Sequence, residues 1–82
     1  MELNDPILQD VLTQIGMEVV RATRKFGPFA SAHEGYAIIK EELDELWDDV
    51  KENRLVDSSR EAVQVGAMAA RYLIDLDPHR IQ

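Results

Sequence analysis

Apolar residues recur along this chain at three- and four-residue intervals, in three blocks separated by short polar breaks. In the first block Leu8, Val11, Leu12, Ile15, Val19, Ala22 and Phe26 form one stripe, while Gln9, Asp10, Thr13 and Arg24 fall elsewhere on the wheel. This is the period of an amphipathic helix. Asp5 before Pro6 supplies an N-cap followed by proline at the first helical position, where its missing N–H costs nothing. Gly27 and Pro28 then break the pattern, so the spacing predicts a helix over about 6–26. Arg21, Arg24 and Lys25 crowd its last turns, where they either complement the negative end of the helix dipole or meet phosphates.

The second block opens on "SAHE", in which Ser31 and Glu34 match the S-x-x-E capping box. A helix over about 32–53 should follow, roughly 30 Å long at ~1.5 Å per residue and the longest element. Tyr36, Ile39, Leu43, Leu46, Trp47 and Val50 lie on its apolar stripe. After "NRLVD" a second S-x-x-E, Ser58 to Glu61, predicts a third helix over about 59–76. That helix is apolar on almost every side except for Gln64, Arg71 and Asp75, and a helix apolar nearly all round is normally buried all round. Two other helices can hardly cover it. Its small residues, Ala62, Gly66, Ala67, Ala69 and Ala70, would admit close neighbours, so much of it is expected to form a homodimer interface. The expected fold is one all-α domain over 1–82: a three-helix chain with a long central helix, completing a four-helix-type bundle by homodimerisation.

Composition narrows the possible functions. The 82 residues hold no cysteine, which excludes disulfides and thiolate metal sites, and few large aromatic side chains. A net charge of −7 and a pI near 4.6 argue against binding to a nucleic acid polymer or an anionic membrane surface. They leave room for a small anion bridged by metal. No apolar run approaches the roughly 20 residues of a membrane span, and "MELNDPILQD" lacks the basic start and apolar block of a signal peptide. A soluble cytoplasmic protein is the expectation.

The candidate chemistry lies in "KEELDELWDDVKE", residues 40–52, with four glutamates and three aspartates. At about 100° per residue these acids divide into two groups. Asp44 and Asp48 lie far from the apolar stripe and should be solvated. Glu42 and Asp49 flank its Leu46 edge, with Glu45 one step further round and Glu41 beyond. Glu42 and Glu45 are an i, i+3 pair, with β-carbons roughly 5–6 Å apart, so both side chains can converge on one cation. Oxygen-only ligands suit Mg²⁺ or Mn²⁺ better than zinc. On spacing alone, an ordinary acid-rich amphipathic helix is the better account of the segment.

The order of motifs adds a resemblance. "EELDELWDDV", followed by a glutamate opening an apolar small-residue helix, resembles the MazG-like nucleotide pyrophosphohydrolases of the all-α NTP pyrophosphatase class. It covers roughly residues 24–76. The E-E-x-x-E motif is matched by Glu41, Glu42 and Glu45. Glu61 falls at the glutamate of the later E-x-x-D motif, whose aspartate is replaced by Gln64. The resemblance implies a helical homodimer, able to pair further into a tetramer, whose acids hold Mg²⁺ (or Mn²⁺) against the phosphates of a nucleoside triphosphate. A water attacks the α-phosphorus, giving nucleoside monophosphate and pyrophosphate, in a house-cleaning role. It assigns Glu42, Glu45 and Glu61 as metal ligands and Glu41 as a further ligand or the residue positioning the water. Gln64 becomes a neutral member behind the ligands. Lys25 and Lys40 are candidates for phosphate contacts.

Several residues carry two readings. The capping box with Ser58 explains Glu61 without any metal. Trp47 fits the core or a nucleobase platform, and Phe26 and Phe29, which bracket the Gly-Pro turn, could close over a base or staple the loop. His33 fits a first-turn surface position. Arg71, among apolar neighbours, should pair with an acid such as Asp75 or a partner residue. The alternative to an enzyme is a non-catalytic helical dimer, a nucleotide-binding or assembly module whose metal site has degenerated.

Overall fold

The computed structural model describes residues 1–80, and all of their regular structure is helical: α1 Pro6–Phe26, α2 Ala32–Lys51 and α3 Leu55–Leu76. α1 starts where the Asp5-Pro6 signal places it, with the Asp5 Oδ1 accepting the Ile7 and Leu8 backbone N–H groups at 2.9 and 3.1 Å. Ser31 caps α2 by accepting the Glu34 N–H at 3.1 Å, while the Glu34 carboxylate reaches back to the Ala30 N–H. Both devices satisfy donors that a helix start leaves free.

Two expectations about the later elements are corrected. The central helix is not the longest: α2 has 20 residues, against 21 in α1 and 22 in α3. The Ser58–Glu61 capping box does not form, because α3 begins at Leu55, one turn earlier. The Ser58 hydroxyl instead donates back to the Leu55 carbonyl at 2.7 Å. Asn53, at φ 58°, takes the left-handed conformation that an asparagine tolerates, and Arg54 braces the tight turn. The Arg54 Nε donates to Asp49 Oδ1 at 2.9 Å and its Nη2 to the Asp48 carbonyl at 3.1 Å. "NRLVD" is therefore partly helix rather than connection.

α3 is the middle of the structure. It packs against both α2 and α1, whereas no Cα of α1 lies within 8 Å of one in α2. Of the small residues of α3, Gly66 and Ala67 serve these contacts within the chain, whereas Ala62 and Ala69 are exposed. Ala67 is fully buried, and a Cβ at Gly66 would meet Ile15 of α1 at 3.1 Å. A Cβ at Gly35 of α2 would meet Tyr72 at 2.8 Å, Leu76 at 3.2 Å and Phe29 at 3.3 Å, so glycine is what lets α2 lie this close to α3. The core itself is small: Ala22, Phe29, Ala67 and Met68, flanked by Ile15, Val19, Ile38, Ile39, Tyr72 and Leu76.

Much of the predicted apolar stripe of α2 faces outward. Tyr36, Leu43, Trp47 and Val50 are exposed, Trp47 by 59%, while Gly35, Ile38, Ile39 and Leu46 turn toward α3. Trp47 is not a core residue of the single chain. No helix among the described residues is long and apolar enough to cross a membrane.

Candidate functional site

The turn at Asn53 sets the register of α2 against α3. Glu45 and Glu61 each lie eight residues from Asn53, on opposite sides of it, so folding back at that residue places them side by side. Glu42, one turn before Glu45, joins them on the same face of α2. Glu42, Glu45 and Glu61 each offer a carboxylate oxygen, and these oxygens all lie within 4.8 Å of one another. Glu42 and Glu61 are half-buried and Glu45 is exposed.

Three carboxylates this close cannot all ionise freely. Burial, and then the neighbouring carboxyls of Glu61 and Glu45, push the Glu42 carboxyl up to about 7. Burial also raises Glu61, and its Oε2 is buried without a hydrogen-bond partner. Because Glu61 sits well inside α3, helix capping no longer explains it. An orphaned carboxylate oxygen beside two further carboxylates is a donor set that fits a hard, oxygen-seeking divalent cation.

The triad opens into a cleft of about 630 Å³ between α1 and α2, floored by α3. α1 contributes Arg21, Ala22 and Phe26; α2 contributes Glu34, Ile38 and Glu41 beside the triad; α3 contributes Gln64, Met68 and Arg71. Gly27 and Phe29 complete the wall. Glu41 thus reaches the cleft, as an exposed side chain, and so does Gln64. The Arg21 guanidinium, with the Gln64 amide nearby as a lesser influence, holds the Glu18 carboxyl of α1 below its usual range. The bond to Arg21 is the larger cause, with Nε to Oε1 and Oε2 at 2.7 and 2.9 Å.

The two candidate lysines are not brought to the cleft wall. Lys40 points along the solvated face of α2 and pairs with Asp44 at 3.0 Å. Lys25 sits over the Phe26 ring, 5.2 Å from its centroid, and lines a separate groove on α1. Asp44 and Asp48 behave as the helix wheel predicts, exposed and paired with Lys40 and Lys51. The cations that do line the cleft are Arg21 and Arg71. Arg21 sits a turn before Lys25 on the face that α1 turns toward the cleft, a distinction visible only once that face is known.

Arg71 departs from its expected pairing. No carboxylate among the described residues forms an ion pair with it. Its Nη2 donates to the Gly27 carbonyl at 2.6 Å, and its guanidinium lies 4.4 Å from the Phe29 ring centroid. Asp75, the expected partner, accepts the Phe29 backbone N–H instead, at 2.9 Å. Phe29 is thereby the staple of the loop, buried in the core, while Phe26 is exposed at the cleft. His33 is exposed outside it.

Comparison with known proteins adds no family to this geometry: no family model, no curated protein and no solved structure matches the chain.

Proposed function

We propose that the chain is a Mg²⁺-dependent (or Mn²⁺-dependent) nucleoside triphosphate pyrophosphohydrolase, converting an NTP or dNTP to nucleoside monophosphate and pyrophosphate. The observation that carries the reading is the convergence of Glu42, Glu45 and Glu61 from two helices, with a Glu61 oxygen left unpartnered beside a cleft. The MazG-like order of E-E-x-x-E and a following glutamate agrees with that arrangement. A bound divalent cation would neutralise phosphate oxygens and make an adjacent water more acidic. Glu42, Glu45 and Glu61 would hold it. Glu41, exposed at the cleft and outside the triad, would orient the attacking water and take its proton as the new P–O bond forms and the α–β anhydride bond breaks. Pyrophosphate then leaves. Gln64 supports the site without charge.

The functional unit in this reading is a homodimer, able to pair further into a tetramer. The support is the outward row Tyr36, Leu43, Trp47 and Val50 on α2, apolar surface that a second copy would cover. That row is also what favours the second reading, a non-catalytic assembly module.

Pyrophosphate release from a panel of ribo- and deoxynucleoside triphosphates, with and without Mg²⁺, tests the enzyme. Release that requires Mg²⁺ and falls at least about 100-fold in Glu45→Gln and Glu61→Gln is the expected result. Release by neither the chain nor its Mn²⁺-loaded form leaves the assembly module standing in its place.

A further inference from the structure

Arg71 is a buried cation, 3% exposed, whose charge no carboxylate of the described residues neutralises. Its engaged atoms have weak or neutral acceptors: the Gly27 carbonyl at 2.6 Å, the Met68 sulfur at 3.4 Å and the Phe29 ring. Its Nε, equally buried, has no partner. A guanidinium in a low-dielectric setting is strongly disfavoured unless an anion or a full set of acceptors faces it. The one acid within helical reach, Asp75, is committed to the Phe29 N–H. Arg71 nevertheless lines the same cleft as the three glutamates.

We propose that Arg71 is the anion-binding residue of the cleft, its guanidinium taking its counter-charge from a phosphate oxygen of the ligand while the glutamates hold the ligand's cation. This assignment rests on the metal–phosphate reading above and adds to it the residue that grips the phosphate chain. Cation and anion sites in one cleft match a metal–polyphosphate, which presents both charges at once. A neutral or cationic ligand would leave Arg71 uncompensated. The geometry also explains why the guanidinium must stay put: Arg71 and Asp75 hold the two ends of one turn, Gly27 and Phe29, so the fork is fixed before any ligand arrives.

Arg71 has a structural duty as well, and the test must separate the two. Asp75→Ala removes the other half of the same clamp without touching the cation. The probe is inorganic tripolyphosphate with Mg²⁺, its binding read by titration calorimetry and by the shift in melting temperature. Wild type is expected to bind and Asp75→Ala to bind within about threefold of it, whereas Arg71→Lys loses about tenfold and Arg71→Met more, since each forfeits charge-assisted bonds to phosphate. Should Arg71→Met fail to fold, Arg71→Lys carries the comparison. Equal losses in Arg71→Lys and Asp75→Ala, or wild-type binding by Arg71→Lys, would overturn the assignment and leave a loop clamp. Absence of binding by the wild type would overturn both this assignment and the metal–phosphate reading.

Discussion

The Asp75 carboxylate accepts the backbone N–H of Phe29 at 2.9 Å, tying the last turn of α3 to the α1–α2 loop across 46 positions of sequence. It holds the Phe29 ring in the core, against Gly35 and beneath Arg71. A charge-assisted, partly buried bond of this kind contributes about 1.5–3 kcal/mol. Asp75→Ala should lower stability by that amount in denaturant titration, and Asp75→Asn, which keeps an acceptor oxygen, by less. Equal losses in the two variants would mean that a neutral acceptor oxygen restores nothing and that the bond depends on the carboxylate's charge.

The two close-packed glycines should respond differently to alanine. At Gly35 the new methyl meets Tyr72 at 2.8 Å with Leu76 and Phe29 also crowding it, so Gly35→Ala should cost about 1–3 kcal/mol through overpacking. At Gly66 the nearest atom, 3.1 Å away, is the flexible end of Ile15, and helix propensity favours alanine by up to about 1 kcal/mol. Gly66→Ala should therefore lie within about 1 kcal/mol of wild type. A reversed order of the two midpoints would contradict the α2–α3 packing described.

Ser31 and Ser58 open identical S-x-x-E strings, yet only Ser31 caps a helix. Ser31→Ala should cost about 1 kcal/mol, and Ser58→Ala no more than about 0.5 kcal/mol. Thermal unfolding of the pair decides this, and an equal loss at Ser58 would restore a helix start at residue 59.

The Glu42 carboxyl, raised from 4.5 to about 7, binds a proton in the folded chain that the unfolded chain has already released. Stability of the metal-free protein should then fall as pH rises from about 4.5 to about 7 and flatten above, because the folded state binds more protons throughout that window. Mg²⁺ competes with the same proton, so its stabilising effect should grow over that range. Glu42→Gln should flatten the fall and weaken the Mg²⁺ effect. Melting temperatures from pH 5 to 8, with and without Mg²⁺, provide the check; a rising metal-free curve for wild type, steeper than that of Glu42→Gln, would defeat it.

Leu43 and Trp47, both half or more exposed on α2, should lie under a second copy in the proposed dimer. Leu43→Asp and Trp47→Glu should each shift sedimentation at micromolar concentration toward the monomer while leaving helical circular dichroism intact. A wild-type chain that already sediments as a stable monomer removes the dimer from the proposal.

Much of this molecule is written locally. The three helices follow from apolar spacing, α1 begins at Asp5-Pro6, and the division of Asp44 and Asp48 from Glu42 and Glu45 follows from the helix wheel alone, since each depends on residues within a few turns. The same strings misplace the start of α3, because an S-x-x-E pattern reads identically at a helix start and inside a helix. Only the tertiary structure decides between them. It also decides that α3 lies between α1 and α2, that Arg71 and Asp75 serve the Gly27–Phe29 turn rather than each other, and that Arg21 rather than Lys25 or Lys40 reaches the cleft. Those relations join residues some 45 positions apart, and periodicity carries no information about which face of one helix meets which face of another. The meeting of Glu61 with Glu42 and Glu45 stands between these cases: the glutamates are legible one by one, but their convergence is set by the fold-back at Asn53.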